Sequence, residues 1–388
     1  MGHYQAIVVG LGAMGAAATY QLARRGVRVL GVDRFSPPHA LGSTHGETRV
    51  TRLAIGEGAH YTPFAVRSHE LWREIEAQSG ADLLTTTGAL IMSSPGRTGV
   101  LHVQDFFGAT LAAAKRHGIA HELLDAGQIR RRFPQFAVRD DEVGYFEPEA
   151  GFLRPEACVS AQLDLAQRAG AEIRTGETVL ELASDARAAV VTTDRTTHTA
   201  DRVILAVGPW LPQLLGERYQ RLFKVSRQVL YWFAAQDSIA PFLAERFPVF
   251  IWEQQTTRQG VYGFPAIDGE AGGVKIATEH HSAVTTPDAI DREVSAAEIA
   301  QMYETCVGPC IFGLSADCVK TATCLYTVTP DFGFILDTHP AFDRVIVASP
   351  CSGHGFKHSA AIGEALAELV VDGRSRLDLG PFGFSRFW

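Results

Sequence analysis

The chain is poor in cysteine, with six in 388 residues. Their spacing shows neither the paired short gaps of a structural zinc site nor the pattern of a disulfide framework. Cys306, Cys310, Cys318 and Cys324 crowd one region. Buried small apolar side chains explain most of them better than metal ligands do, and no metal is expected. Charge is modest too: 20% of residues are charged and the formal net charge is -8. A mildly acidic chain has no general attraction for nucleic acid or anionic lipid, so neither is an expected partner. No apolar run is long enough to cross a bilayer. The first apolar stretch, residues 6–10, passes directly into glycines, which argues against a secretion signal. A reducing, cytoplasmic setting is the expectation. Internal repeats and low-complexity tracts are absent.

What is present is an ordinary globular composition, 46% hydrophobic, in a chain too long for one ordinary core. Residues 6–9 form a short continuous apolar run, as in a strand buried on both faces. Residues 13–25 have helical composition and stop at Gly26. Residues 27–32 read as a second strand closed by Asp33. Further helices are expected over 70–79, 110–118, 155–170, 295–306 and 359–371. Further strands are expected over 171–182, 188–193, 202–207 and 345–348. The span 223–264, rich in aromatics and valine, reads as antiparallel sheet. Strand–helix–strand pieces at the start, middle and end, with a β-rich segment between, suggest a cofactor domain interrupted by a substrate domain.

Gly10, Gly12 and Gly15 follow the first strand and open the first helix. The first glycine permits the tight turn, the second lets backbone approach a pyrophosphate, and the third lets helix and strand pack closely. The helix N-terminus then offers free N–H groups to phosphates. Asp33 stands at the offset where a carboxylate accepts from a ribose diol, and it would repel a 2′-phosphate. This context points to dinucleotide binding, without separating FAD from NAD.

Other motifs do separate them. Pro37, Pro38 and His39 lead into the segment 42–49, which contains Ser43, His45, Thr48 and Arg49; Arg52 follows. Cys324, Leu325, Tyr326 and Thr327 form a second motif. Ser352, Gly353, His354, Gly355, Phe356 and Lys357 form a third. Together with the glycine fingerprint, these resemble the monomeric sarcosine oxidase and N-methyltryptophan oxidase family over almost the whole chain. Pro381 and Phe382, with residues 385–387, look more like the N-methyltryptophan branch. The resemblance implies an α/β FAD-binding Rossmann-type domain (residues 1–85, 148–222 and 322–388) with an inserted α+β substrate domain built on an antiparallel sheet (86–147 and 223–321). It implies FAD attached covalently at Cys324, with Arg49 over the flavin. Arg52 and Lys357 would hold the carboxylate of a small amino-acid substrate. Lys275 would promote the reaction with O2, and Tyr262 and Tyr326 would lie near the substrate. The turn at Gly353, His354 and Gly355 would face the flavin, with Ser43 and Thr48 also on the cofactor side. The family is read as monomeric.

Some positions depart from the family. Glu279 stands where the family has a histidine lining the substrate site, unless a one-residue shift puts His280 there. Pro350 and Cys351 replace a small apolar pair. These departures leave open which amine is oxidised. Oxidation of an N-methyl or cyclic secondary amino acid is the leading expectation. A primary-amine oxidase, a dehydrogenase with another acceptor, an NAD enzyme and a catalytically silent flavin binder are the alternatives. His45 or His354 could assist proton transfer, though such histidines are as often hydrogen-bond fixtures.

Overall fold

The computed structural model describes residues 2–94, 103–254, 259–279 and 281–388. Strand β1 (His3–Val9), helix α1 (Ala13–Ala23) and strand β2 (Val29–Asp33) open the chain. β1 is the centre of the first sheet. It pairs in parallel with β2 on one side and with Thr197–Leu205 on the other. β2 in turn pairs in parallel with Glu172–Thr175. The apolar run of β1 is buried on both faces, as its lack of alternation requires.

α1 carries five alanines and a glycine, and ten of its eleven residues are buried. It lies between the first sheet and the helices Pro155–Arg168 and Ser359–Asp372. Small side chains permit that crowding: a Cβ on Gly363 of the last helix would fall 2.4 Å from the Ala17 Cβ. Helix Thr62–Ser79 completes this layer. It begins eight residues before the expected start, with Pro63 in its first turn, where a missing N–H costs nothing. The strand expected over 171–182 is broken at Gly176, whose φ is 63°, into Glu172–Thr175 and Val179–Ser184. The helix expected to reach 306 runs as α-helix only over Ala296–Met302 and continues as a π-turn.

The second sheet carries eight strands in the order Leu314–Val328, Lys224–Ala235, Val274–Thr278, Gln259–Phe264, Val249–Gln254, Ala89–Ser93, Val143–Glu147 and Glu122–Asp125. It is antiparallel except where Val249–Gln254 pairs in parallel with Ala89–Ser93. Those strands come from distant chain segments, so no tight hairpin fixes their relative direction. Within the span 223–264 the pairing is antiparallel, as expected. The long strand Leu314–Val328 runs through residue 322, so it crosses the domain boundary drawn from sequence. A small sheet of Arg49–Thr51, Gly151–Leu153 and Leu84–Thr86 stands apart from both. Among the described residues, no helix is long and apolar enough to cross a membrane, and no group of three potential ligands could hold a metal ion.

Candidate active site

β1 delivers the chain to Gly10, whose φ of 86° is left-handed. A Cβ there would also fall 2.6 Å from the Ala206 carbonyl oxygen, so both conformation and space demand glycine. Gly12 precedes α1, and a Cβ on it would meet only Thr44 Oγ1, at 3.6 Å. A Cβ on Gly15 would fall 1.7 Å from the Gly10 carbonyl oxygen, so this glycine serves packing. The first turn of α1 has no acidic residue competing for its free N–H groups. Asp33 accepts the Leu11 and Phe35 N–H groups, both at 2.7 Å. Burial raises its pKa against those two donors. The carboxylate braces the glycine turn and still lines a cavity with lone pairs to spare.

That one cavity is lined by Gly10, Gly12 and Asp33 and also by Arg49, Tyr326 and Lys357. Ser43 Oγ and Ser349 Oγ line it as well, and both are buried without a hydrogen-bond partner among the described residues. Buried hydroxyls are rarely left so. An open glycine turn, a helix N-terminus free of acidic residues and two unpartnered hydroxyls fit a dinucleotide such as FAD.

Arg49, half-buried, and Lys275, buried, are neighbours. Arg49 Nη2 donates to the Ser43 carbonyl at 2.8 Å and lies 3.7 Å from Cys324 Sγ. Burial works against the Arg49 charge, but Cys324, Tyr262, Tyr326 and Glu156 together hold its pKa above the ordinary value. Lys275 Nζ donates to the Gly46 carbonyl, the Thr48 carbonyl and Thr48 Oγ1. Burial, with Arg49, pushes its pKa well down. His45 is buried and does not line the cavity. Burial, with Arg49 and Lys275, pushes its pKa to about 3, so its ring is neutral.

Arg52 and Lys357 are 1% and 6% exposed. They converge on Glu57, with Arg52 Nη2 at 2.5 Å and Lys357 Nζ at 3.5 Å from its oxygens. Arg52 also donates to the Ala54 carbonyl, and its guanidinium stands 4.9 Å from the Phe106 ring centroid. Glu147 fixes the turn that follows, accepting the Leu53 and Ala54 N–H groups and the Tyr145 hydroxyl. Lys357 lies in the 3-10 turn Phe356–His358 that leads into the last helix. A cation there needs an anion close by, and Glu57 is that anion. Burial still pushes the Lys357 pKa down to about 8.

Tyr262 and Tyr326 face each other, hydroxyl to hydroxyl, at 3.4 Å. Burial pushes the Tyr262 pKa up to about 12 and raises that of Tyr326 well above its ordinary value. Both hydroxyls are therefore protonated at neutral pH. Glu279 lies beside them: its Oε1 would be 2.8 Å from a Cβ on Gly353, and Tyr326 Cε2 would be 2.9 Å from it. His281 Nε2 is 3.7 Å from Glu279 Oε1. Ser352 and Gly353 are both left-handed. A Cβ on Gly355 would fall 1.7 Å from the Pro350 carbonyl oxygen, so the turn closes tightly on itself.

Residues 5–369 match the profile of the family described as FAD dependent oxidoreductase. The chain belongs to this family. Within it, the chain falls with monomeric sarcosine oxidase and N-methyl-L-tryptophan oxidase. It is 40% identical to the monomeric sarcosine oxidase of Streptomyces avermitilis over 98% of this chain and 96% of that protein. It is 32% identical to the N-methyl-L-tryptophan oxidase of Yersinia pestis over 99% of both. In structure it is similar to NikD, an unusual amino acid oxidase essential for nikkomycin biosynthesis. The TM-score is 0.83 and the identity 26%, over 99% of this chain and 98% of that one.

In this FAD-dependent oxidoreductase, the site residues read from sequence all line the one cavity except Gly15 and His45. His280 lies outside the described residues. Sequence reading missed Glu57, which lines the cavity and joins the two carboxylate-binding candidates. Its only signal was a lone acid between Gly56 and Gly58, close after Arg52. It also missed Glu177, Thr178 and Val179, which line the cavity near Asp33 and were hidden inside the expected strand.

Proposed function

We propose that this protein oxidises the C–N bond of an N-methyl or cyclic secondary amino acid of the sarcosine or N-methyltryptophan type. The product is an imine that water hydrolyses, with O2 reduced to hydrogen peroxide. The reading rests first on one observation: two buried cations from distant segments, Arg52 and Lys357, meet on a single carboxylate at the cavity wall. Glu57 occupies the place where a substrate carboxylate would bind. The names and activities of the sarcosine and N-methyltryptophan oxidases, similar over their full length, support the same chemistry.

Gly10, Gly12 and Asp33 would hold FAD, which would supply a hydride acceptor for the carbon next to nitrogen and a two-electron donor to O2. The protein's own groups prepare that exchange. Arg52 grips the substrate carboxylate with its planar fork and Lys357 adds a point charge, while Glu57 gives way. The amine binds neutral, so no side-chain base is required. Tyr262 and Tyr326, both protonated, wall the substrate side. Glu279 favours a cationic group on the substrate and disfavours a second carboxylate. Lys275 and Arg49 favour the negative charge that O2 acquires. Arg49 Nη2 lies 3.7 Å from Cys324 Sγ at the cavity wall, which supports Cys324 as the proposed attachment point for FAD. The protein is proposed to act as a monomer.

A panel of matched N-methyl and primary amino acids, mixed anaerobically with the holoenzyme, tests the reading. The N-methyl or cyclic compounds should bleach the flavin and the primary amines should do so far more slowly. Preference for primary amines, or no bleaching by any amine, would overturn it.

A further inference from the structure

Among the described residues, no carboxylate touches Lys275. Its three hydrogen bonds go to the Gly46 carbonyl at 2.7 Å, the Thr48 carbonyl at 2.8 Å and Thr48 Oγ1 at 3.1 Å. An ammonium has three N–H donors and a neutral amine two, so three acceptors favour the charged form. Neutral acceptors alone are weak compensation for a charge taken out of water. The compensating charge stands one peptide away. Glu156, in the first turn of helix Pro155–Arg168, accepts the Gly46 N–H at 2.6 Å and the Glu47 N–H at 3.2 Å.

The peptide joining Gly46 to Glu47 is thus held at both ends. Its N–H points to Glu156 and its C=O accepts from Lys275. Its dipole is aligned with both charges, and each hydrogen bond polarises the other. The same peptide sits in a demanding backbone, with φ of 95° at Gly46 and 70° at Glu47. For Glu47 that conformation is costly and persists only where the surroundings enforce it. The paired N–H groups on Glu156 supply the enforcement.

We propose that Glu156 is the positioning residue of Lys275: through the Gly46–Glu47 peptide, its carboxylate fixes the ammonium in place and keeps it charged for the reaction with O2. This rests on the reading of Lys275 as the oxygen-side cation. Glu156 itself does not line the cavity. The other groups facing Lys275 are Arg49 from the small sheet, neutral His45 from the preceding loop, and Cys324 from the strand Leu314–Val328. The rings of Trp232 and Phe264 lie 5.4 and 4.5 Å from Nζ. Burial and Arg49 oppose the Lys275 charge, whereas Cys324 and Glu156 support it. As a thioether to FAD, Cys324 carries no charge, and Glu156 is then the supporting anion that remains.

The chain has only five lysines, so the lysine side-chain nitrogens of the 15N-lysine-labelled holoenzyme give a sparse NMR spectrum. Lys275→Met identifies the Lys275 resonance by its loss. In Glu156→Gln, which keeps the shape and removes the charge, the Lys275 titration should move to lower pH by about one unit, the size expected of one charge at this range. Glu156→Asp should move it less, in the same direction; it serves alone if the Gln variant does not accumulate. In stopped flow, reoxidation of the reduced enzyme by O2 should lose rate at correspondingly lower pH in Glu156→Gln. Anaerobic reduction by the amine should change less than about twofold. A Lys275 titration that stays in place, or equal slowing of both half-reactions, overturns the inference. If Lys275→Met leaves reoxidation unchanged, the oxygen role of Lys275 falls, and that of Glu156 with it. If Lys275→Met slows reoxidation while Glu156→Gln leaves the titration in place, only the role of Glu156 falls.

Discussion

At the scale of residues, Glu57 holds the carboxylate-binding pair in a closed ion triad. In Glu57→Gln the competing charge is gone, and a substrate-like carboxylate meets less resistance. Its Kd, followed by the flavin absorbance, should tighten about tenfold, or roughly 1.4 kcal/mol. The unliganded variant should also melt earlier, because two buried cations lose their counter-charge, and added carboxylate should restore part of the loss. Unchanged affinity would mean that Glu57 never leaves the pair. Lys357 makes a second prediction. Burial places its pKa at about 8, below the ordinary lysine value of 10.5. It is charged below that point and neutral above. Binding of an amine-free ether carboxylate should be flat with pH up to about 8 and then weaken by up to tenfold per unit. Lys357→Met should bind more weakly throughout and lose that limb. The sequence named both cations but not their partner, because nothing local in the chain brings Glu57 to residue 357.

At the scale of elements, α1 is placed by smallness. It touches two helices and the first sheet at once, and its five alanines and one glycine allow the close approach. The contact of Gly363 with Ala17 leaves no room for a methyl group. Gly363→Ala gains about 1 kcal/mol of helix propensity but forces two helices apart, at about 1–3 kcal/mol. The net effect should be a lower urea midpoint and, in the Cys324→Ser background, weaker FAD binding, since the displaced element carries the N-terminus proposed to meet the phosphates. A variant as stable as the parent with unchanged FAD affinity would show that the layer yields freely. The fingerprint at Gly10, Gly12 and Gly15 was legible because its spacing falls between a strand and a helix, with Gly10 left-handed and Gly15 closed against the Gly10 carbonyl. The start of helix Thr62–Ser79 was not: its first turn opens with Thr62, Pro63 and Phe64, whose weak helix propensity gives no local signal, and the burial of Phe64 is set by the core.

At the scale of the whole molecule, the cavity is walled by both large sheets, from β1 and β2 to Lys275 and Cys324. A cofactor there ties the two together. With covalent attachment, acid precipitation of the holoenzyme should leave the yellow colour in the pellet. In Cys324→Ser the colour should pass to the supernatant. The melting temperature of that variant should then rise with added FAD, by about 2.7 kcal/mol of stabilisation at a hundredfold excess over Kd. Release of flavin from the parent enzyme would return Cys324 to a buried core thiol.

Sequence by itself determined the ends of the site. The glycine turn and Asp33 are local patterns whose chemistry follows from residue type and spacing, whereas the motifs around Arg49, Cys324 and Lys357 were legible through their resemblance to a family. Tertiary structure decided how they are coupled. Glu57 reaches Lys357, and Glu156 reaches Lys275 through the Gly46–Glu47 peptide, across hundreds of residues or a bend of backbone that no periodicity encodes. Buried charges need partners wherever the fold can bring them, and the choice of partner is made by packing rather than by position along the chain.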